Sequence, residues 1–224
     1  YIRFLPLERR HNAMELLLAM DKTFYDAIYV RKNKSKKRQY MRYCPLCAAA
    51  DREKHGETYW HRKHQLPGVE ICLEHRCRLE NSSNGILSDN QRFKLIHAEL
   101  VIPENTPVNL DVSDLEYQLS DYVMQIFDAD MDFEHDVSVG KFLQSRLEGT
   151  PYTSTRGEQV FARKLYAALS EYYQDLPQYS LEAWWYVQKV FCSQDFHTFD
   201  VSLIAFFLGI PIQDLLHMTL PEQT

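Results

Sequence analysis

Cys44-Pro45-Leu46-Cys47 and Cys72-Leu73-Glu74-His75 decide how this chain folds. They read as two zinc knuckles, C-x2-C and then C-x2-H, with residues 48–71 between them. Each knuckle is a tight turn that aims two ligands at one point. Together Cys44, Cys47, Cys72 and His75 make a tetrahedral site with no open position, and a closed site of this kind holds one structural Zn2+. The expected metal folds a binding module and does no chemistry itself. Cys77, two residues past His75, competes for the fourth place, but the x2 spacing of the first knuckle favours His75. His55, His61 and His64 in the intervening loop are weaker alternatives. Cys192 lies in an aromatic, apolar stretch and reads as a buried core thiol.

Outward from the knuckles the charge is uneven. Residues 1–78 hold 17 Lys plus Arg against 9 Asp plus Glu, whereas residues 79–224 hold 8 against 22. The net charge of −6 therefore hides a basic first third and an acidic remainder. Arg31, Lys32, Lys34, Lys36, Lys37 and Arg38 run up to the first knuckle, and the basic character continues through Arg42, Arg52, Lys54, Arg62, Lys63, Arg76 and Arg78. A basic patch on a metal-stabilised module is the electrostatic footprint of a polyanion partner. Arg31, Lys32, Lys34, Lys36, Lys37 and Arg38 are the expected phosphate contacts to double-stranded DNA, with Arg42, Arg62 and Lys63 in support. Such contacts position a protein and carry little sequence information.

Composition excludes several classes. With 14 Tyr and 12 Phe against 7 Gly in 224 residues, the chain has the material for a packed, helix-rich core and is not disordered. Five Cys, four of them clustered, suit a reducing cytoplasm better than a disulfide scaffold. No apolar run approaches the ~18 residues of a membrane span, and no signal peptide is present. The chain opens on Tyr1, so it reads as a piece of a longer protein.

Periodicity gives a mainly α fold around the small zinc module. Leu7 to Met20 reads as a short, mostly buried helix. Val69 to Leu73 alternates weakly, as a strand leading into the second knuckle. The turn formers at 81–85 and Pro103 and Pro107 mark a connector with one short apolar element at 94–102. Ser113 followed by Glu116 is a capping box for a helix carrying Leu119, Tyr122, Val123 and Ile126 on one face. Further helices are expected at 138–148, 157–174 and 181–192. At the end, Ala205, Gly209, Pro211 and Leu215 match the spacing of a helix-turn-helix. Its second helix has Asp214 and no Lys or Arg, so it reads as a packing hairpin and not as a DNA reader.

The zinc segment resembles a known family. Arg42-Tyr43-Cys44-Pro45-Leu46-Cys47, Asp51, Gly56-Glu57-Thr58-Tyr59-Trp60-His61-Arg62, His64-Gln65-Leu66-Pro67-Gly68-Val69, Cys72 and His75 are similar to the zinc-binding core of the TniQ family, which includes the TnsD-type target selectors of bacterial transposons. The likeness is dense over 42–79 and looser upstream. Phe199 to Gly209 looks like a degenerate form of a segment in the TnsD-type C-terminal region. The resemblance implies zinc ligands at Cys44, Cys47, Cys72 and His75. It implies a cytoplasmic bacterial protein that is not an enzyme, binds target DNA and recruits a AAA+ ATPase transposition regulator. Some such proteins ride instead on an RNA-guided complex, and a homodimer is compatible with either. On this basis residues 1–43 are the end of a helical N-terminal TniQ region with its basic loop, 44–80 the zinc module, 81–112 a connector and 113–224 an all-helical domain. The HQLPG segment is expected to be structural. A minor alternative is an HNH-like nuclease built on His61 and His64. It would need a second metal site, for which a nearby Asp or Asn is hard to name, and Arg62-Lys63 would repel a divalent ion.

Overall fold

The computed structural model describes residues 2–28, 40–85, 96–136, 138–176, 179, 181, 183–193 and 196–218. It is mainly helical with short strands near the cysteines, as the sequence predicts. Two compact units form: Asn33–Met124, and Tyr1–Lys32 together with Gln125–Thr224.

In the first unit, β1 (Tyr40–Tyr43) leads directly into α3 (Pro45–His55), and the chemistry of the first knuckle explains the join. Cys44 stays extended as N-cap, its sulfur accepts the Cys47 backbone N–H, and Pro45 supplies a preset φ at the first helical position. Gly56, at φ +82°, ends the helix in the left-handed region that glycine enters without cost. Arg52, Lys54 and His55 fill the last turn, where the helix dipole favours positive charge.

β1 pairs antiparallel with β4 (Glu80–Gly85), Arg42 opposite Asn81 and Tyr43 opposite Glu80. A small hairpin, β2 (Ile71–Cys72) with β3 (Cys77–Arg78), sets Cys72 opposite Cys77. The expected strand at 69–73 is thus present as two residues. The apolar element expected at 94–102 is a single 3₁₀ turn, Ala98–Leu100. Ala98, Val101 and Ile102 bury against Tyr43 and Ala48, with Trp60 and Ile96 at the edge. Arg52 locks this segment by gripping both Glu99 carboxylate oxygens at 3.0 Å and donating to the Ile102 and Pro103 carbonyls.

α4 (Asp114–Asp128) starts on the predicted capping box. Glu116 N donates to Ser113 Oγ at 3.2 Å, and Ser113 N donates back to Glu116 Oε2 at 3.1 Å.

In the second unit, α1 (Leu7–Leu18) and α2 (Phe24–Ala27) are joined by Arg9, which donates to the Ala27 carbonyl. The expectation of a mostly buried α1 is corrected: Arg10 and Ala13 are its buried residues, while Leu18 is 77% and Met20 89% exposed. The segment that covers α1 reaches only its first turns. Leu7 N donates to Asp136, His11 meets the Phe133 carbonyl, and the Arg10 guanidinium donates to the Asp132 and His135 carbonyls.

The core of this unit is built by α5 (Val139–Arg146), α6 (Ala162–Tyr172), α7 (Trp184–Cys192) and α8 (Thr198–Phe207). Gly140 lets α5 approach α7 closely: a Cβ there would stand 2.6 Å from the Val190 carbonyl oxygen. Tyr173 donates to the Leu203 carbonyl and ties the end of α6 to α8.

The sequence places the start of α6 too early. Residues 153–160 instead fold as a turn around Gly157 (φ +68°), closed by a Thr153–Val160 bridge. α7 likewise begins three residues later than expected. α9 (Ile212–His217) follows α8 through Gly209 at φ +64°, with Pro211 as its cap and Ala205 and Leu215 fully buried. The hairpin is therefore there, and its short second helix packs through Leu215. Cys192 is exposed, which corrects the buried thiol: Val187 and Val190 face inward on α7, and Cys192 falls on the opposite side.

Among the described residues, no helix is long and apolar enough to cross a membrane.

Candidate metal centre

The two knuckles meet. Cys44 and Cys47 come from the start of α3, Cys72 from the end of β2 and His75 from the turn before β3. Their donor atoms all lie within 4.8 Å of one another. His75 Nδ1 stands 3.6 Å from Cys44 Sγ, 3.3 Å from Cys47 Sγ and 3.5 Å from Cys72 Sγ. Cys47 Sγ is 3.6 Å from Cys72 Sγ. A tetrahedral ion with ordinary metal–sulfur and metal–nitrogen bonds needs edges of about 3.6–3.8 Å, and these four edges, at 3.3–3.6 Å, come close to that. The three thiols are buried.

Hydrogen bonding organises the thiols before any metal arrives. The bond with Cys47, then that with Cys72, holds the Cys44 thiol down at about 3. The same bond to Cys44, then Cys72 and burial, pushes Cys47 up. A binding cation must displace the protons of the thiols it takes as ligands.

His75, rather than Cys77, completes the set. Cys77 is buried beside the cluster, with Sγ 3.4 Å from Cys44 Sγ, and burial followed by that contact pushes its thiol up to about 12. His64 is buried with Nε2 3.9 Å from Cys47 Sγ, against the cluster but outside the ligand set. His61 stacks on His64 with ring centres 4.9 Å apart, and Tyr59 stacks on His61 at 4.5 Å. His55 is exposed, with its ring edge-on to Tyr59.

The residues expected to contact DNA occupy different places. Arg31, Lys32, Lys34, Lys36, Lys37 and Arg38 lie outside the described residues. Arg62 and Lys63 are exposed on the 3₁₀ turn Arg62–Gln65, directly outside the cluster. Arg42 is buried, with 3% of its side chain exposed. Its guanidinium donates to the His64 and Leu66 carbonyls and pairs with Glu70. Gln65 completes this clamp by accepting the Arg42 N–H and donating to the Arg42 carbonyl at 2.7 Å. Arg42 thus fastens the HQLPG segment to β1, and that segment is structural at this point.

The sequence marks Asp51 as a motif position and gives it no role. It is buried on α3, accepts from Thr58 Oγ1 at 3.1 Å and lies 2.9 Å from His61 Nε2. The ten-residue separation of Asp51 and His61 matches no helix or strand period, so only the fold brings them together. Among the described residues, the one group of three or more converging His, Cys or carboxylate donors is Cys44, Cys47, Cys72 and His75.

No curated protein matches the chain. The TniQ family model matches residues 17–79, a stretch that contains the whole donor set and the Arg42 clamp. That match covers 63 of the 224 residues, and over this stretch the chain is similar to the TniQ family.

Proposed function

We propose that this protein selects target sites for a bacterial transposon, using a zinc-built TniQ module to hold DNA and to recruit a AAA+ transposition regulator. A TniQ domain makes a transposition role the coarse conclusion, and the family's part in transposition is that of a non-catalytic adaptor. The observation that carries the finer reading is the coincidence of three features in one short stretch: the TniQ match, a closed three-cysteine, one-histidine cluster, and Arg62 and Lys63 exposed on the turn outside it.

Three thiolates and one imidazole in tetrahedral array suit Zn2+. The ion's work is to fix residues 44–77 as one body. Arg62 and Lys63, with the basic run at 31–38, supply phosphate contacts, each releasing counterions from the DNA. Arg42 is left out of that set because its charge is used inside the module.

A second reading is an adaptor that joins an RNA-guided complex to the transposition machinery without reading DNA itself. The acidic balance of residues 79–224, 22 Asp plus Glu against 8 Lys plus Arg, favours protein contacts for that part. Selection of fragmented host genome on the protein at moderate salt separates the two. Enrichment of one locus by the zinc-loaded protein, and not by Cys72→Ser, is expected of a target selector. Uniform, salt-sensitive retention of all fragments would support the adaptor and refute direct selection.

A further inference from the structure

α6 and α7 pack together and gather positive charge and aromatic surface in a part of the chain that is otherwise acidic. Residues 125–224 hold 6 Lys plus Arg against 14 Asp plus Glu. On α6 and α7 the balance is reversed: Arg163, Lys164 and Lys189 face a single acid, Glu171. Arg163 and Lys164 occupy the first turn of α6, and no side chain caps that helix end. Cations there oppose the helix dipole and concentrate positive potential at that helix end.

The aromatic residues are placed to match. Arg163 lies over the Trp184 ring at 4.6 Å and Lys189 over Tyr186 at 5.5 Å. Between them in the chain, Trp185 is 50% exposed, one helical turn before Lys189. Trp185 therefore lies in the chain between two rings that each carry a cation over their face.

We propose that the start of α6 and helix α7 form a docking surface for single-stranded nucleic acid, with phosphates held by Arg163, Lys164 and Lys189 and a base stacked on Trp185. Charge complementarity calls for a polyanion. The exposed indole calls for one with flat faces, and only an unpaired strand offers a base face, since a duplex covers its bases with their neighbours. An acidic peptide would satisfy the cations and leave Trp185 without a partner. The surface belongs to the unit that does not hold the metal cluster, so its test is read separately from the targeting reading.

The experiment is fluorescence anisotropy of a labelled 20-nucleotide oligo-dT, and of a duplex, with the full metal-loaded chain over a range of NaCl. Trp185→Ala, a surface change, is expected to weaken oligo-dT about tenfold and to leave the duplex unchanged. The double variant Arg163→Ala/Lys164→Ala should lower the slope of log Kd against log salt by about 1.4 for the single strand. Trp emission should be quenched on saturation of the native chain and much less so in Trp185→Phe. Native-like oligo-dT binding by Trp185→Ala, equal displacement by polyglutamate, or no oligo-dT binding by the native chain would each overturn the proposal. Loss of duplex binding alone, with the Trp185-dependent oligo-dT binding kept, would sink the targeting reading and leave this one standing.

Discussion

Arg42 and Arg62 carry the same charge in opposite settings. Arg42 is enclosed and paired with Glu70 and two carbonyls, while Arg62 stands on an exposed turn. Glu70 is 32% exposed and can be solvated, so the cost of Arg42→Ala lies mainly in the His64 and Leu66 carbonyls that lose their donor, and the melting temperature should fall. Arg62→Ala/Lys63→Ala should leave melting within experimental error and reduce the salt dependence of duplex binding. Thermal melts and salt titrations of the two variants check this.

The ligands themselves follow their own chemistry. Cys72→Ser should lose the metal and unfold the module, whereas His75→Cys should keep one ion per chain in an all-thiolate site. Cys77→Ala, which removes a neighbour and not a ligand, should also keep it. Native mass spectrometry gives the stoichiometry directly. Because thiols must lose their protons to bind a metal, metal affinity should fall as pH falls.

The converging group Cys44, Cys47, Cys72 and His75 was legible because local spacing puts each pair on one turn. Cys77 was harder to weigh, because only the β2–β3 hairpin brings it opposite Cys72 and against Cys44. Arg42 was read as a phosphate contact because its burial depends on Glu70 and the 64–66 carbonyls, which only the fold brings near. Asp51 was legible as a motif position, but its contacts with Thr58 and His61 were not, for the same reason.

At the scale of elements, α4 shows what sequence can specify. Ser113 and Glu116 were legible as a capping box because the signal is wholly local, and both reciprocal bonds form. The sequence did not reveal that Glu116 also receives Arg78, at 2.8 and 3.1 Å, and so ties the second knuckle's hairpin to the helix. Burial opposes ionisation of Glu116, but Arg78 and the Ser113 donors outweigh it and hold its carboxyl below the usual range. A depressed folded-state value stabilises the fold above the ordinary carboxylate pKa of about 4.3 and is lost as pH falls through the folded value. Stability should therefore drop in that acidic window, and Glu116→Gln should flatten the drop.

Gly140 gives the helical core an equally sharp test. Gly140→Ala drives a methyl group into the α7 backbone and should cost about 1–3 kcal/mol in chemical denaturation. By contrast, the start of α6 was misplaced because Ala162 is preceded by Thr153 to Gly157, whose turn chemistry outweighs the helical spacing of the apolar residues beyond it.

At the scale of the whole molecule, a basic segment similar to the TniQ domain is joined in one chain to a largely acidic helical part. Charge separated in this way along a chain lets one region hold a polyanion while the rest stays available to other partners. On the proposed function, a zinc ion would fix the segment that bears Arg62 and Lys63, and DNA affinity would fall on its removal. The most direct test is duplex DNA affinity of the same preparation before and after stoichiometric removal of zinc by a chelator, with readdition as the control. One zinc per chain, affinity lost on chelation and regained on readdition is the predicted result. Unchanged duplex binding by the metal-free chain, with its melting temperature intact, would contradict it.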